Sequence, residues 1–321
     1  MDYRLSKPIS ASAIMRRLNN RRLLLPLVLL TVGVVYAQFR SDTRLVELHA
    51  SVTDKRGKLI TNLKENDFKV YENGQLQQIK IFRREDVPVS LGIIIDDSAS
   101  MLTKRSRVEA AALSLVKESN PQDEVFIVNF NDEWFLDVPF TSDIHKMEQG
   151  IGKIDSRGGT AMRDAISASL DYMKDKAKKD KKVLLIITDG NDNASNTSLE
   201  KIVARSNQSE TLVYAIGLFT EEERHEGTKA KRALNELTST TGGLAFYPKD
   251  VSEVQALASE IARDIRNQYT IDYRPEIQEL DGSYRSIKVV VNGSGKPTVR
   301  TRSGYYATPE VRTKAATGGA S

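Results

Sequence analysis

The chain has 321 residues, 40% of them apolar and 28% charged, a globular balance long enough for one large domain or two smaller ones. Of its 47 basic and 43 acidic residues, six and one fall in positions 1–37, so the formal charge of +4 belongs to that leader and the remainder sits near −1. Nothing global therefore points to nucleic acid, and the absence of cysteine excludes disulfides, thiolate metal sites and a lipoprotein anchor.

Residues 1–37 read as an export signal. Arg16-Arg17 and Arg21-Arg22 precede the apolar run Leu23–Val35, and Val35-Tyr36-Ala37 fits the small-residue cleavage rule. The apolar run is shorter than the roughly 20 residues that span a bilayer. The expected mature chain begins at Gln38, and an uncleaved membrane anchor is the rival reading.

Residues 38–87 are β-like. Leu45–Val52 leads into the turn Asp54–Gly57, and the runs Phe68–Glu72 and Gln75–Phe82 flank Asn73-Gly74, a pair that tolerates positive φ and so marks a tight hairpin. These strands are too few for an independent sandwich, so this flank needs a partner sheet.

From Pro88 to Asn267 strands and helices alternate. The run Gly92–Asp96 reads as a strand buried on both faces. Val108, Ala111, Ala112, Leu115 and Val116 follow at helical spacing. Asp123–Phe130 is a strand, Trp134–Phe140 an edge strand, and Ile144, Met147, Ile151 and Ile154 mark a helix. Met162, Ala165, Ile166, Ser169, Leu170 and Met173 give a further amphipathic helix. Strands at Val183–Thr188, Leu212–Leu218 and Gly243–Tyr247 and helices around Leu234 and Ile261 complete the segment. This pattern predicts an α/β fold with a doubly wound, mostly parallel sheet covered on both faces. Residues 268–306 are β-like again, with alternation at Tyr269–Tyr273 and Ile287–Val291 and a strand at Val299–Tyr306; the small, polar residues 307–321 read as a disordered tail. The flanks 38–87 and 268–306 are expected to form one small β domain around the inserted α/β domain 88–267.

Three stretches carry chemistry. Asp96, Ser98 and Ser100 offer a carboxylate and two hydroxyls on the loop beyond a parallel strand, where α/β sheets bind ligands. Oxygen ligands of this kind suit Mg²⁺. Thr160 follows Gly158-Gly159 ahead of a helix, and Asp189 ends a second apolar strand. Either aspartate alone reads as a helix N-cap. Together the residues resemble the metal-ion-dependent adhesion site of von Willebrand factor type A domains: Asp-x-Ser-x-Ser, a distal Thr, then a strand-end Asp-Gly. Ala99 departs from the usual glycine, so that loop must accept a Cβ. The stretches VTDKRGKLITNLKENDFKVYENGQLQQIKIF and QYTIDYRPE, GSYRSIKVVV and RTRSGYYA resemble the bacterial VWFA-related family known chiefly from acidobacteria.

The resemblance implies a site of Asp96, Ser98, Ser100, Thr160 and Asp189 holding Mg²⁺, with Mn²⁺ able to substitute, and an open position filled by an Asp or Glu carboxylate of a protein partner. The expected function is an exported, Mg²⁺-dependent adhesion or assembly module in the periplasm, cell envelope or outside the cell. A scaffold with a purely structural metal and a metal-dependent hydrolase are the alternatives. No enzyme activity is expected: His49, His145 and His225 lie on different elements, and neither His-Glu-x-x-His nor Gly-x-Ser-x-Gly occurs. Asp97 and Asp192 read as solvated loop residues, Glu221–Glu226 as an acidic rim on the face of the site, and Lys174–Lys182 as charged surface. Mutual repulsion of the two site carboxylates predicts that deleting either one stabilises the metal-free protein.

Overall fold

The computed structural model describes residues 45–308 except 85, 119, 153–156, 191, 220–223 and 294–295. The expected leader 1–37, Ile154, the side chains of the acidic stretch 221–226 and the tail from 309 lie outside the described residues. Among the described residues, no helix is long and apolar enough to cross a membrane.

The first flank contributes β1 (Val46–Thr53), β2 (Phe68–Glu72), β3 (Gln75–Gln77) and β4 (Ile79–Arg83). The α/β segment follows, with β5 (Val89–Asp96), α1 (Arg105–Lys117), β6 (Glu124–Phe130), β7 (Trp134–Thr141), α2 (Ile144–Ile151), α3 (Met162–Lys176), β8 (Lys181–Thr188), α4 (Leu199–Gln208), β9 (Thr211–Gly217), α5 (Arg224–Thr241), β10 (Ala245–Phe246) and α6 (Val254–Arg266). The last flank adds β11 (Tyr269–Tyr273), β12 (Tyr284–Val291), β13 (Thr298–Arg300) and β14 (Gly304–Tyr306).

The central sheet has the order β10-β9-β8-β5-β6-β7, parallel throughout except for the antiparallel edge β7. Its middle strands are buried on both faces, which is why they read as unbroken apolar runs. Alternate residues of β5 face two different cores. Ile93 and Ile95 join α1, α2 and α6 on one side, and Ile94 joins α3, α4 and α5 on the other. Gly92 lets a neighbour cross the strand: a Cβ there would lie 2.3 Å from Phe126 Cζ and 2.5 Å from Leu184 Cδ2. The fold is the expected doubly wound α/β architecture.

The flanks pair with each other. Two antiparallel sheets, β13-β1-β11-β4 and β14-β12-β2-β3, share a third core that includes Leu48, Val70, Ile271 and Val289, with Phe68, Phe82 and Tyr269 in mutual ring contact. Tyr273 Oη and Tyr305 Oη both donate to the buried Glu72 carboxylate, at 2.6 and 3.0 Å.

Four local expectations change. The run Gln75–Phe82 breaks at Gln78, so that β3 stays with β2 while β4 crosses to β11 in the other sheet. Val299–Tyr306 likewise divides into β13 on β1 and β14 on β12. In both cases a strand turns the corner between packed sheets. A helix, α4, occupies 199–208, where none was expected; Ser198 caps it by accepting from the Lys201 N–H. Ala307, read as the start of the tail, is buried in the flank core and bonds Ser283 through its backbone.

Candidate functional site

β5 and β8 are neighbours in register, Ile95 opposite Ile187, and the carboxylates Asp96 and Asp189 stand at their two ends. Adjacent strands lie about 4.8 Å apart, so both acids reach the same spot on the carboxyl edge of the sheet. Asp96 is wholly buried. Its Oδ1 accepts the Ser98 N–H at 2.9 Å and its Oδ2 accepts from Thr188 Oγ1 at 2.5 Å. Burial pushes its carboxyl up to about 6; the bonds from Ser98 and Thr188 oppose that rise, and the nearby Asp189 adds to it.

After Asp96 the chain makes a short 3₁₀ turn over Ala99–Thr103. Ser98 Oγ lies 3.2 Å from Ser100 Oγ, and Ser100 Oγ donates to Asp189 Oδ1 at 2.8 Å. Ala99 is not among the residues with positive φ, and its N–H donates to Gly158 O at 3.3 Å, so the loop accepts the Cβ that the departure from glycine requires.

Thr160 arrives from the loop before α3. Its N–H donates to Asn193 Oδ1 at 2.9 Å, and its carbonyl accepts from the Asn193 and Ala194 N–H groups at 3.1 and 3.2 Å. A Cβ at Gly190 would lie 3.5 Å from Thr160 Oγ1, which places that hydroxyl beside the Asp189-Gly190 turn. The structure thus gathers all five residues singled out in the sequence.

Asp192 is not a solvated loop residue. Its carboxylate accepts from the Arg163 N–H at 2.7 Å, the Arg163 guanidinium at 2.9 Å and both the N–H and hydroxyl of Ser195. It therefore fastens the loop after β8 to the start of α3. Asp97 is buried too: its N–H donates to Phe130 O at 2.7 Å and its carbonyl accepts from the Arg157 N–H at 2.9 Å. His49 lies on β1 in the flank, and His145 is exposed on α2.

Sequence reasoning missed Lys104. Its Nζ reaches Asp189 Oδ2 at 2.5 Å and the Leu218 carbonyl at 3.2 Å, with only 8% of the residue exposed. No periodic signal singles out a lysine in the polar run Thr103-Lys104-Arg105; only the length of its stem would have suggested that it could reach back to Asp189. Among the described residues, no group of three or more His, Cys, Asp or Glu side chains is placed to hold a metal ion. The site instead offers two carboxylates and three hydroxyls. That all-oxygen set fits a hard divalent cation in chemistry, although an ammonium already sits on one of its carboxylates.

Residues 91–191 match the family model of the von Willebrand factor type A domain. Among solved structures, a von Willebrand factor type A protein from Catenulispora acidiphila is 14% identical, with 81% of this chain and 73% of that one covered at a TM-score of 0.51. BatB from Bacteroides thetaiotaomicron is 19% identical over 55% of this chain and 98% of its own, at a TM-score of 0.45. Proximal thread matrix protein 1 from the mussel byssus, in a structure with a zinc-occupied MIDAS motif, is 16% identical over 60% and 49%, at 0.49. At these identities the likeness is one of fold. No curated protein sequence matches.

Proposed function

We propose that this VWA-domain protein is an exported, Mg²⁺-dependent protein-binding module, acting in adhesion or assembly at the cell envelope. The observation that carries the reading is the convergence of Asp96, Ser98, Ser100, Thr160 and Asp189 at the carboxyl edge of the sheet. Ser98, Ser100 and Thr160 would ligate directly, and Asp96 and Asp189 directly or through water. A bound Mg²⁺, or Mn²⁺ in its place, supplies an electrophile that accepts one further oxygen, and an Asp or Glu carboxylate of a protein partner fills that role. The leader's basic pairs, apolar run and Ala37 support export, and the flank motifs support placement with the bacterial VWFA-related family.

One observation favours the scaffold, whose partner binds elsewhere: the Lys104 ammonium already engages a carboxylate that a bridging metal would need. The two readings part in a pull-down from envelope extract with Mg²⁺ and with EDTA in parallel, together with calorimetry on variants. Asp96→Ala and Asp189→Ala are expected to lower Mg²⁺ affinity at least tenfold, and Ser100→Ala less, because water replaces a hydroxyl. All three are expected to lose the partner. Partner binding that survives EDTA, or survives in Asp189→Ala shown to be metal-free, leaves the scaffold as the function.

A further inference from the structure

Lys104 precedes α1, and its stem is buried in the protein. Its ammonium contacts two groups at the carboxyl edge of the sheet: Asp189 Oδ2 at 2.5 Å and the carbonyl of Leu218, just past β9, at 3.2 Å. Ser100 Oγ holds the other oxygen of Asp189 at 2.8 Å. Both oxygens of this carboxylate are therefore engaged within the protein itself, one by a neutral donor and one by a full positive charge.

We propose that Lys104 is a tethered cation that competes with the divalent metal for Asp189, so that stable metal occupancy depends on the partner's carboxylate. This rests on the metal reading of the site given above. Asp96, Asp189 and Lys104 are shielded from water, where an unbalanced charge is expensive. Asp96 and Asp189 contribute −2 when ionised and Lys104 contributes +1. A divalent ion in the same site leaves a surplus of +1, and one incoming carboxylate brings the total to zero. Without the lysine, the metal and the two aspartates would balance by themselves. The metal-free site keeps its shape because Lys104 pairs with Asp189, and the filled site reaches neutrality only when metal and partner are both present. Each then raises the affinity of the other by the same factor.

The test uses the full chain, Mn²⁺ as the metal and acetate as the carboxylate probe, with acetamide as a neutral control. Mn²⁺ binding is measured by electron paramagnetic resonance on wild type and on Lys104→Met, which keeps the stem and removes the charge. Without acetate, Lys104→Met is expected to bind Mn²⁺ at least tenfold more tightly than wild type. Acetate is expected to tighten Mn²⁺ binding at least fivefold in wild type and hardly at all in the variant; acetamide should do nothing in either. Metal-free Lys104→Met should melt below wild type and recover with Mn²⁺, because Asp189 is left unpaired until the metal arrives. Equal Mn²⁺ affinities with no difference in acetate response overturn the competition while leaving the metal reading intact. Folded proteins that bind no Mn²⁺ in any condition overturn both. If Lys104→Met fails to fold, the wild-type acetate arm decides alone, and no acetate effect there overturns the proposal.

Discussion

Asp189 is a site carboxylate and also the counter-ion of a buried ammonium, and the second role changes what its removal does. Burial is the main cause of the raised Asp96 carboxyl, and Asp189 adds to it in the sense that repulsion predicts. Deleting Asp189 nevertheless strands Lys104 without its partner, so that variant should not gain the metal-free stability expected from repulsion alone. Asp192 shows the complementary case of a residue that supports the site without belonging to it. Four donors converge on its carboxylate, two from Arg163 and two from Ser195. Hydrogen bonds to a charged group contribute roughly 1.5–3 kcal/mol each and are not additive, so Asp192→Ala should cost about 2–4 kcal/mol in urea unfolding. On the proposed metal reading, Mg²⁺ affinity should fall as well, because the loop that seats Thr160 loosens. An Asp192→Ala protein with wild-type stability would show that the loop is held by other contacts.

At the scale of elements, most of the α/β segment was legible because its helices carry a strong period and its buried strands are unbroken apolar runs. α4 was not. It is ten residues long, and its apolar stripe, Leu199, Ile202 and Val203, is too brief to stand out among polar neighbours. The divided strands were misread for another reason. Both runs are β-prone from end to end, yet burial does not alternate regularly through either, Leu76 being exposed and Gln77 buried, so the sequence does not report that a strand has changed sheets. In the site, residue types that carry metal chemistry could be read from their spacing. The pairs Lys104–Asp189 and Asp192–Arg163 could not, since each joins residues far apart in sequence, with Arg163 in the first turn of α3 and the other three outside helices and strands. One element boundary rests on backbone geometry alone. α5 ends in a Schellman cap: the Gly242 N–H donates to Ser239 O and the Gly243 N–H to Thr238 O. Gly242 has φ of +90°, and a Cβ there would lie 2.7 Å from the backbone of Thr301 and Arg302. Gly242→Ala combines a strained φ with a backbone clash, and is expected to cost about 2–3 kcal/mol in chemical denaturation. An unchanged midpoint would mean that the β13–β14 connection yields freely.

At the scale of the molecule, the two ends of the described chain depend on each other and on the sheet between them. β1 lies between β11 and β13, both from the last flank, so a chain ending at Asn267 leaves β1 with neither neighbour. In that truncation, limited proteolysis should cut within residues 45–84 while the α/β segment stays resistant. A protected first flank would refute the shared β unit. Buried polar contacts join this unit to the α/β segment: Gln268 Nε2 donates to Ser51 Oγ and Tyr214 Oη, Tyr214 Oη donates to Asp264, and Arg300 pairs with Asp264.

Lys181 lies close to this junction, at the start of β8. The sequence placed it in a charged surface run, but it is 4% exposed, and its Nζ donates to Ile265 O at 2.5 Å, where α6 ends before β11. Burial holds its ammonium down to about 8; Arg266 lowers it further, while Asp264, Asp86 and Glu47 oppose the shift. An unfolded lysine titrates near 10.4, so between about pH 8 and 10.4 the unfolded chain carries a proton that the folded chain has lost. Stability attributable to this group therefore rises with pH across that window, and below about pH 8 the folded protein bears the full burden of a buried ammonium, about 3 kcal/mol at most. Buried tyrosines such as Tyr214, whose hydroxyl burial pushes up, act in the opposite sense at the alkaline end, so the wild-type curve alone does not isolate the lysine. The difference from Lys181→Met does. The variant should equal or exceed wild-type stability at pH 7, and the gap should narrow steadily from pH 8 to 10 as wild type sheds the proton. Urea midpoints that run parallel over that range would show that the Lys181 ammonium keeps its ordinary affinity for the proton despite its burial.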